Sequence, residues 1–110
     1  MVKKKTLQES KEKLPEPTEA SLQEQIVLLL RLKGYLVHIV HKNVANKDWV
    51  KGIPDLHVLG NGRTLYIECK SKKGKLSPSQ EEGILFLRSH GMEVRVVDDI
   101  SQIQDLLDID

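Results

Sequence analysis

The stretch from Gly52 to Lys70 constrains this chain more than any other. It reads Gly52-Ile53-Pro54-Asp55, an apolar run, Asn61-Gly62, a second apolar run, then Glu68-Cys69-Lys70. Asn-Gly is a strong signal for a two-residue hairpin, because both central positions of a type I′ turn need positive φ. The flanks, Leu56-His57-Val58-Leu59 and Thr64-Leu65-Tyr66-Ile67, are rich in the β-branched, aromatic and aliphatic residues that suit strands. An antiparallel pair closed at that turn brings its distant ends together. Asp55 and Glu68, each about six residues from the turn, are therefore expected to meet. Side chains alternate along a strand, so Glu68 and Lys70 share one face while Ile67 and Cys69 take the other.

Two acids and a lysine converging on one spot make a hard-metal site with a candidate general base. Mg²⁺ usually takes one or two carboxylates with waters and substrate phosphate. Asp55 and Glu68 meet that need, and the Cys69 backbone carbonyl can supply a further ligand. Lys70 can orient or deprotonate a water, or stabilise charge developing on a phosphate. The plainer reading is a surface ion pair between Glu68 and Lys70. That accounts for those residues but not for Gly-Ile-Pro-Asp at the matching end of the partner strand.

The chain's 110 residues predict one domain with a modest core, and 30% charged with 39% hydrophobic residues suits a globular protein. The formal net charge is only +1, but it is unevenly spread. Lys42, Lys47, Lys51, Arg63, Lys70, Lys72, Lys73 and Lys75 surround the hairpin, while the acids Glu93, Asp98, Asp99, Asp105, Asp108 and Asp110 crowd the C-terminal end. A polyanion feels charge within a Debye length of about 8–10 Å, so the local basic rim matters more than the sum. A single cysteine excludes an intrachain disulfide and a cysteine-rich zinc site. No secretory or long apolar segment stands out, and the expectation is a cytoplasmic protein with no membrane contact.

Residues 1–17, rich in Lys and Glu with Pro15 and Pro17, predict a flexible arm, and 18–110 the folded domain. A helix is predicted over Thr18–Lys33, with Thr18 or Ser21 as N-cap, a buried stripe of Leu22, Ile26, Leu29 and Leu30, and Gly34 as its stop. Glu19, Gln23 and Ile26 share one side of it; Glu19 either reaches into a pocket or merely complements the helix N-terminus. Tyr35–Val40 predicts a strand with His38 half-buried in it. The loop His41–Lys51 carries Lys42, Asn43, Lys47, Lys51 and Trp49, a set able to grip a phosphate backbone, with Trp49 either stacking on a base or covering the core edge. Beyond the hairpin, Ser77-Pro78-Ser79-Gln80 opens a second helix with a capping box and Pro at N1. Met92–Val97 predicts a fourth strand, and Ile100–Leu107 a short acidic helix. The order is α-β-β-β-α-β-α, with no internal repeat: strands 1–3 as an antiparallel meander, strand 4 returning beside it in a mixed sheet flanked by helices.

These residues resemble a known family. Gly52-Ile53-Pro54-Asp55 followed by Glu68-Cys69-Lys70 is similar to the bipartite signature of the PD-(D/E)-x-K nuclease superfamily. Gly74-Lys75-Leu76-Ser77-x-x-Gln80, a helix, Gly91 and a valine-rich strand look like its virus-type replication-repair branch, the VRR-NUC domain, over about Thr18–Ser101. The resemblance implies a restriction-endonuclease-like α/β core with a mixed four-stranded sheet. It implies Asp55 and Glu68 as ligands of Mg²⁺ or Mn²⁺, Lys70 as the catalytic lysine, and Gln80 near the active site as well as in the cap. It also implies an acid from the first helix as a further catalytic metal ligand, for which Glu19 fits better than Glu24, with Gln23 as a supporting polar contact. Lys72, Lys73 and Lys75 join the basic loop residues as DNA contacts. The implied activity is a phage or bacterial metal-dependent DNA endonuclease of replication, repair or recombination, working as a homodimer on duplex, nicked or branched DNA. The alternatives are a Holliday junction resolvase and a non-cleaving DNA-binding module.

Overall fold

The computed structural model describes residues 16–40 and 52–108. The predicted arm, apart from its last residues, and the loop with Lys42, Asn43, Lys47, Trp49 and Lys51 lie outside the described residues. The elements are α1 (Glu19–Leu32), β1 (Leu36–Ile39), β2 (Leu56–Gly60), β3 (Arg63–Cys69), α2 (Pro78–Ser89), β4 (Glu93–Val97), a 3-10 turn (Ile100–Ile103) and α3 (Gln104–Leu107). This is the expected mixed α/β order, with strands lying β1-β2-β3-β4 in one sheet. β1–β2 and β2–β3 pair antiparallel, and β3–β4 pair parallel after the α2 crossover.

The hairpin forms in the predicted register. Asn61 and Gly62 both take positive φ, 53° and 71°, and Leu56 faces Ile67 at the far end. One face of the sheet presents Val37, Leu56, Val58, Leu65, Ile67, Cys69 and Val97 to α1 and α3, where Leu22, Ile26, Val27, Leu30, Ile103, Leu106 and Leu107 complete the core. Fully burying each such aliphatic side chain contributes about 1.5–3 kcal/mol. The second face carries a smaller layer, in which Ile84 of α2 and Val94 of β4 are buried away from the main cluster.

The two long helices end alike. In α1 the Gly34 N–H donates to Arg31 O and the Tyr35 N–H to Leu30 O; in α2 Gly91 donates to Arg88 O and Met92 to Leu87 O. Both are Schellman closures, and the glycine of each sits at positive φ, where an L side chain would be strained. The last-turn arginine of each then donates to the strand that follows, Arg31 to Val37 O at 2.8 Å and Arg88 to Val94 O at 2.7 Å. The sequence shows no long repeat, but Arg-x-x-Gly-x-x-Val occurs at both junctions with the same geometry.

Two local expectations need correction. Thr18, not Ser21, caps α1: its hydroxyl accepts from the Ser21 N–H at 3.0 Å, which puts Ser21 inside the first turn and leaves no box from Ser21 to Glu24. His38 is exposed rather than half-buried, because it lies on the sheet face opposite the main core.

Candidate nuclease site

The site lies where β2 begins and β3 ends. Val40 N–H donates to Asp55 O at 2.8 Å and Lys70 N–H donates to Val97 O at 2.9 Å, so the sheet ladders run on to both residues. The Asp55 carboxylate bends across the hairpin end and accepts the Cys69 N–H on Oδ2 at 2.9 Å. Glu68 is 1% exposed, an unusual place for a carboxylate unless its oxygens are satisfied. Gln80 donates Nε2 to Glu68 Oε2 at 3.0 Å while its own Oε1 accepts the Ser77 N–H at 2.8 Å. Gln80 thus closes the capping box and holds Glu68 at once, joining two roles that its position in the sequence left as rivals.

Lys70 turns toward α1. Its Nζ lies 3.5 Å from Glu19 Oε2, with the lysine side chain 15% exposed and the glutamate 46%. Glu19 is therefore a partner of the lysine in this arrangement, while Glu24 lies elsewhere, along a cleft of about 310 Å³ shared with Gln23, Val27, Leu28, Arg31 and Ile39. Gln23 lines that cleft too. A second open cleft, about 440 Å³, runs beside the Glu19 end of α1 and is lined by Thr18, Ser71 and Lys73. Of the predicted phosphate contacts, Lys72, Lys73 and Lys75 are exposed after β3, with Lys72 3.8 Å from Asp99.

Sequence reasoning overlooked Gly83. A Cβ there would collide with the Gly52 carbonyl, and a Cβ on Gly52 would collide with that of Ser79. Gly52 also sits at φ +90°. The Gly-Ile-Pro-Asp turn is thereby clamped backbone to backbone against the first turns of α2, which sets Asp55 and Gln80 in one frame. The signal was available: glycine inside a helix costs about 1 kcal/mol against alanine, so it needs a packing reason.

A four-stranded mixed sheet with acids gathered at the strand ends defines a PD-(D/E)-x-K-type core. The VRR-NUC domain model matches residues 3–98, and the chain belongs to the VRR-NUC family. A solved structure titled VRR-NUC domain is similar to it, with a TM-score of 0.64 and 26% identity over 83% of this chain and 95% of that one. No curated protein matches the chain. The family makes this a nuclease-type, DNA-processing domain. Among the described residues no helix is long and apolar enough to cross a membrane.

Proposed function

We propose that the domain is a metal-dependent endonuclease that hydrolyses DNA phosphodiesters in replication, repair or recombination, with Asp55 and Glu68 as ligands of Mg²⁺ or Mn²⁺ and Lys70 as the catalytic lysine. The observation that carries this reading is the pairing of two carboxylates held at one hairpin end, Asp55 by the Cys69 N–H and Glu68 by Gln80, with Lys70 directly after them. The donor set fits a hard dication. Among the described residues no group of three or more His, Cys, Asp or Glu side chains could hold an ion by itself. Two carboxylates, the Cys69 carbonyl and waters are the kind of mixed set that Mg²⁺ accepts.

When bound, such an ion lowers the pKa of a coordinated water and polarises the phosphoryl oxygen. The protein's own groups supply the rest. Gln80 orients Glu68 through one oxygen, as outer hydrogen-bond partners of metal ligands commonly do. The Lys70 ammonium steers the water or stabilises charge that grows on the phosphate. Glu19, at 3.5 Å, keeps that ammonium turned inward. Lys72, Lys73 and Lys75 meet the phosphates on either side. A two-fold homodimer would present two such sites to two strands.

Supercoiled, nicked and four-way-junction DNA, each incubated with Mg²⁺, Mn²⁺ or chelator, test the proposal. Metal-dependent products on any of them are expected. Products from junctions alone, in symmetric pairs, would assign a resolvase, and binding with no cleavage on every substrate would overturn the enzyme reading.

A further inference from the structure

The second sheet face is only half covered by the described elements. In register, Leu36, Leu59 and Thr64 form one row on it, and His38, His57, Tyr66 and Val94 the next. α2 packs on β4, at one side of this face. On the β1–β2 side His38 and Thr64 are exposed, Leu36 is 66% exposed, and His57 and Tyr66 are half-buried. The His57 and Tyr66 rings stack, with centroids 4.4 Å apart and planes within 5°, and His57 Nε2 lies 2.9 Å from Thr64 Oγ1. Burial, with His38 close by, lowers the His57 pKa from its ordinary value.

This open half adjoins the candidate site. Tyr66 and Glu68 are two residues apart on one strand face, roughly 7 Å along the strand. Gly83 lies against Gly52, so its flank of α2 turns toward the start of β2. Phe86 and His90, at i+3 and i+7 from Gly83, belong to that flank, and their rings lie 4.3 Å apart. A pair of stacked, half-buried rings two residues along β3 from Glu68 suits a flat ligand delivered with a phosphate.

We infer that this open half-sheet binds an unpaired DNA strand running away from the scissile phosphate, with a base stacking on the His57–Tyr66 pair. The inference rests on the nuclease reading of the Asp55–Glu68–Lys70 site. Base faces are hidden inside a duplex and open only in an unpaired strand, which is what aromatic platforms select. A second copy of the chain suits the surface less well, since His38 and Thr64 interrupt the apolar area of Leu36 and Leu59.

The test uses the full chain with chelator, so that nothing is cut. A single-stranded oligonucleotide carrying 2-aminopurine, scanned along its length, is expected to be quenched on binding at one position. Tyr66→Phe keeps the quench. Tyr66→Leu removes it and weakens strand binding at least fivefold relative to binding of a matched duplex, since base–aromatic stacking is typically worth that much or more. If Tyr66→Leu fails to melt as a folded protein, His38→Glu, at an exposed position on the same row, is expected to weaken strand binding by about threefold through repulsion of phosphate. No quench with the wild type, or equal strand affinity for a folded Tyr66→Leu, would overturn the inference. So would a change of oligomeric state in Tyr66→Leu with strand affinity intact, which would mark the face as a contact between copies. Quench without metal-dependent cleavage on any substrate would sink the nuclease reading alone; cleavage without quench would sink only this inference.

Discussion

α1 with β1 and α2 with β4 are the same device used twice, and they differ at one end only. Each helix finishes in a Schellman glycine, and each last-turn arginine is bonded to the next strand. Those C-terminal ends fix helix to sheet. The N-terminal ends deliver a polar side chain from the first turn toward the site, and here the two part. α1 delivers Glu19, a half-exposed anion, to the Lys70 cation. α2 delivers Gln80, a neutral amide, to the buried Glu68 carboxylate. An amide positions a carboxylate without cancelling its charge, whereas Glu19 tempers the charge of the lysine it touches. The lesson is that one scaffold can orient a charge in one place and moderate it in another by a single choice of first-turn residue.

Removing what the two helices serve should have the largest effect. Glu68→Gln and Asp55→Asn are each expected to lower metal-dependent cleavage on the order of 10³-fold, several kcal/mol of barrier at about 1.4 kcal/mol per decade. Thermal stability of Glu68→Gln should hold or rise, because a buried charge is replaced by a neutral group of the same shape. Lys70→Ala should cost about 10²–10⁴-fold, the range for a positioned proton-transfer group. Cleavage assays paired with melting curves check all of these. Wild-type activity in Glu68→Gln would place the chemistry elsewhere.

Changing the delivered residues should separate the two helices. Gln80→Leu should cost about 10–100-fold in activity, as the loss of an orienting partner usually does. It should also cost part of a capping interaction, worth about 0.5–2 kcal/mol. Glu19→Gln should cost less than tenfold, since it keeps the shape and loses only the charge of a half-exposed partner, and Glu24→Gln should be silent. Equal effects from Gln80→Leu and Glu19→Gln would dissolve the distinction between the two helices. Gly83→Ala probes the clamp. Alanine favours the helix by about 1 kcal/mol, yet the collision with Gly52 should turn that gain into a net loss of about 1–3 kcal/mol. Activity should fall with it as the Asp55 turn moves away from Gln80. A stabilised Gly83→Ala would show that the backbone contact is not tight.

What the sequence disclosed follows the range of the forces involved. The Asn61-Gly62 turn, the Ser77–Gln80 cap and the closing glycines depend on neighbours within a few residues, and they were readable. So was the placing of Asp55 and Glu68 at one end of the hairpin, because a hairpin converts sequence distance into register. Ser21 suits a cap by residue type, but Thr18, three residues earlier, accepts the Ser21 N–H and so draws Ser21 into the first turn. The Lys70–Glu19 pair and the Gly52–Gly83 contact join elements far apart in the chain, and no spacing rule reaches them. The exposure of His38 depended on how far α2 reaches across the second sheet face, which strand alternation alone leaves open. Arg-x-x-Gly-x-x-Val was in plain view, but its meaning needed the arginine hydrogen bonds.

The smallest effect concerns how the outer strand of each unit is held. β4 carries Arg95, whose guanidinium donates to Asp105 at 2.7 and 2.8 Å and to Glu93 at 2.9 Å. β1, at the opposite edge, has no ion pair of this kind among the described residues. The Arg95 hydrogen bonds hold the Asp105 carboxyl below its ordinary range, against the opposing effect of burial. Because the folded value is the lower one, the stabilisation is complete above the unfolded value of about 3.9 and is lost as the pH falls through the folded value. Asp105 is 53% exposed, so the contribution should be no more than about 1 kcal/mol, and less in about 1 M salt. Asp105→Asn is then expected to lower the melting temperature by a few degrees at pH 7 and to melt with a flatter pH dependence than the wild type between pH 5 and pH 2. Amide exchange should show the difference in β4 and leave β1 unchanged. Parallel pH profiles for the two proteins would mean that the pair holds β4 in place without stabilising the fold.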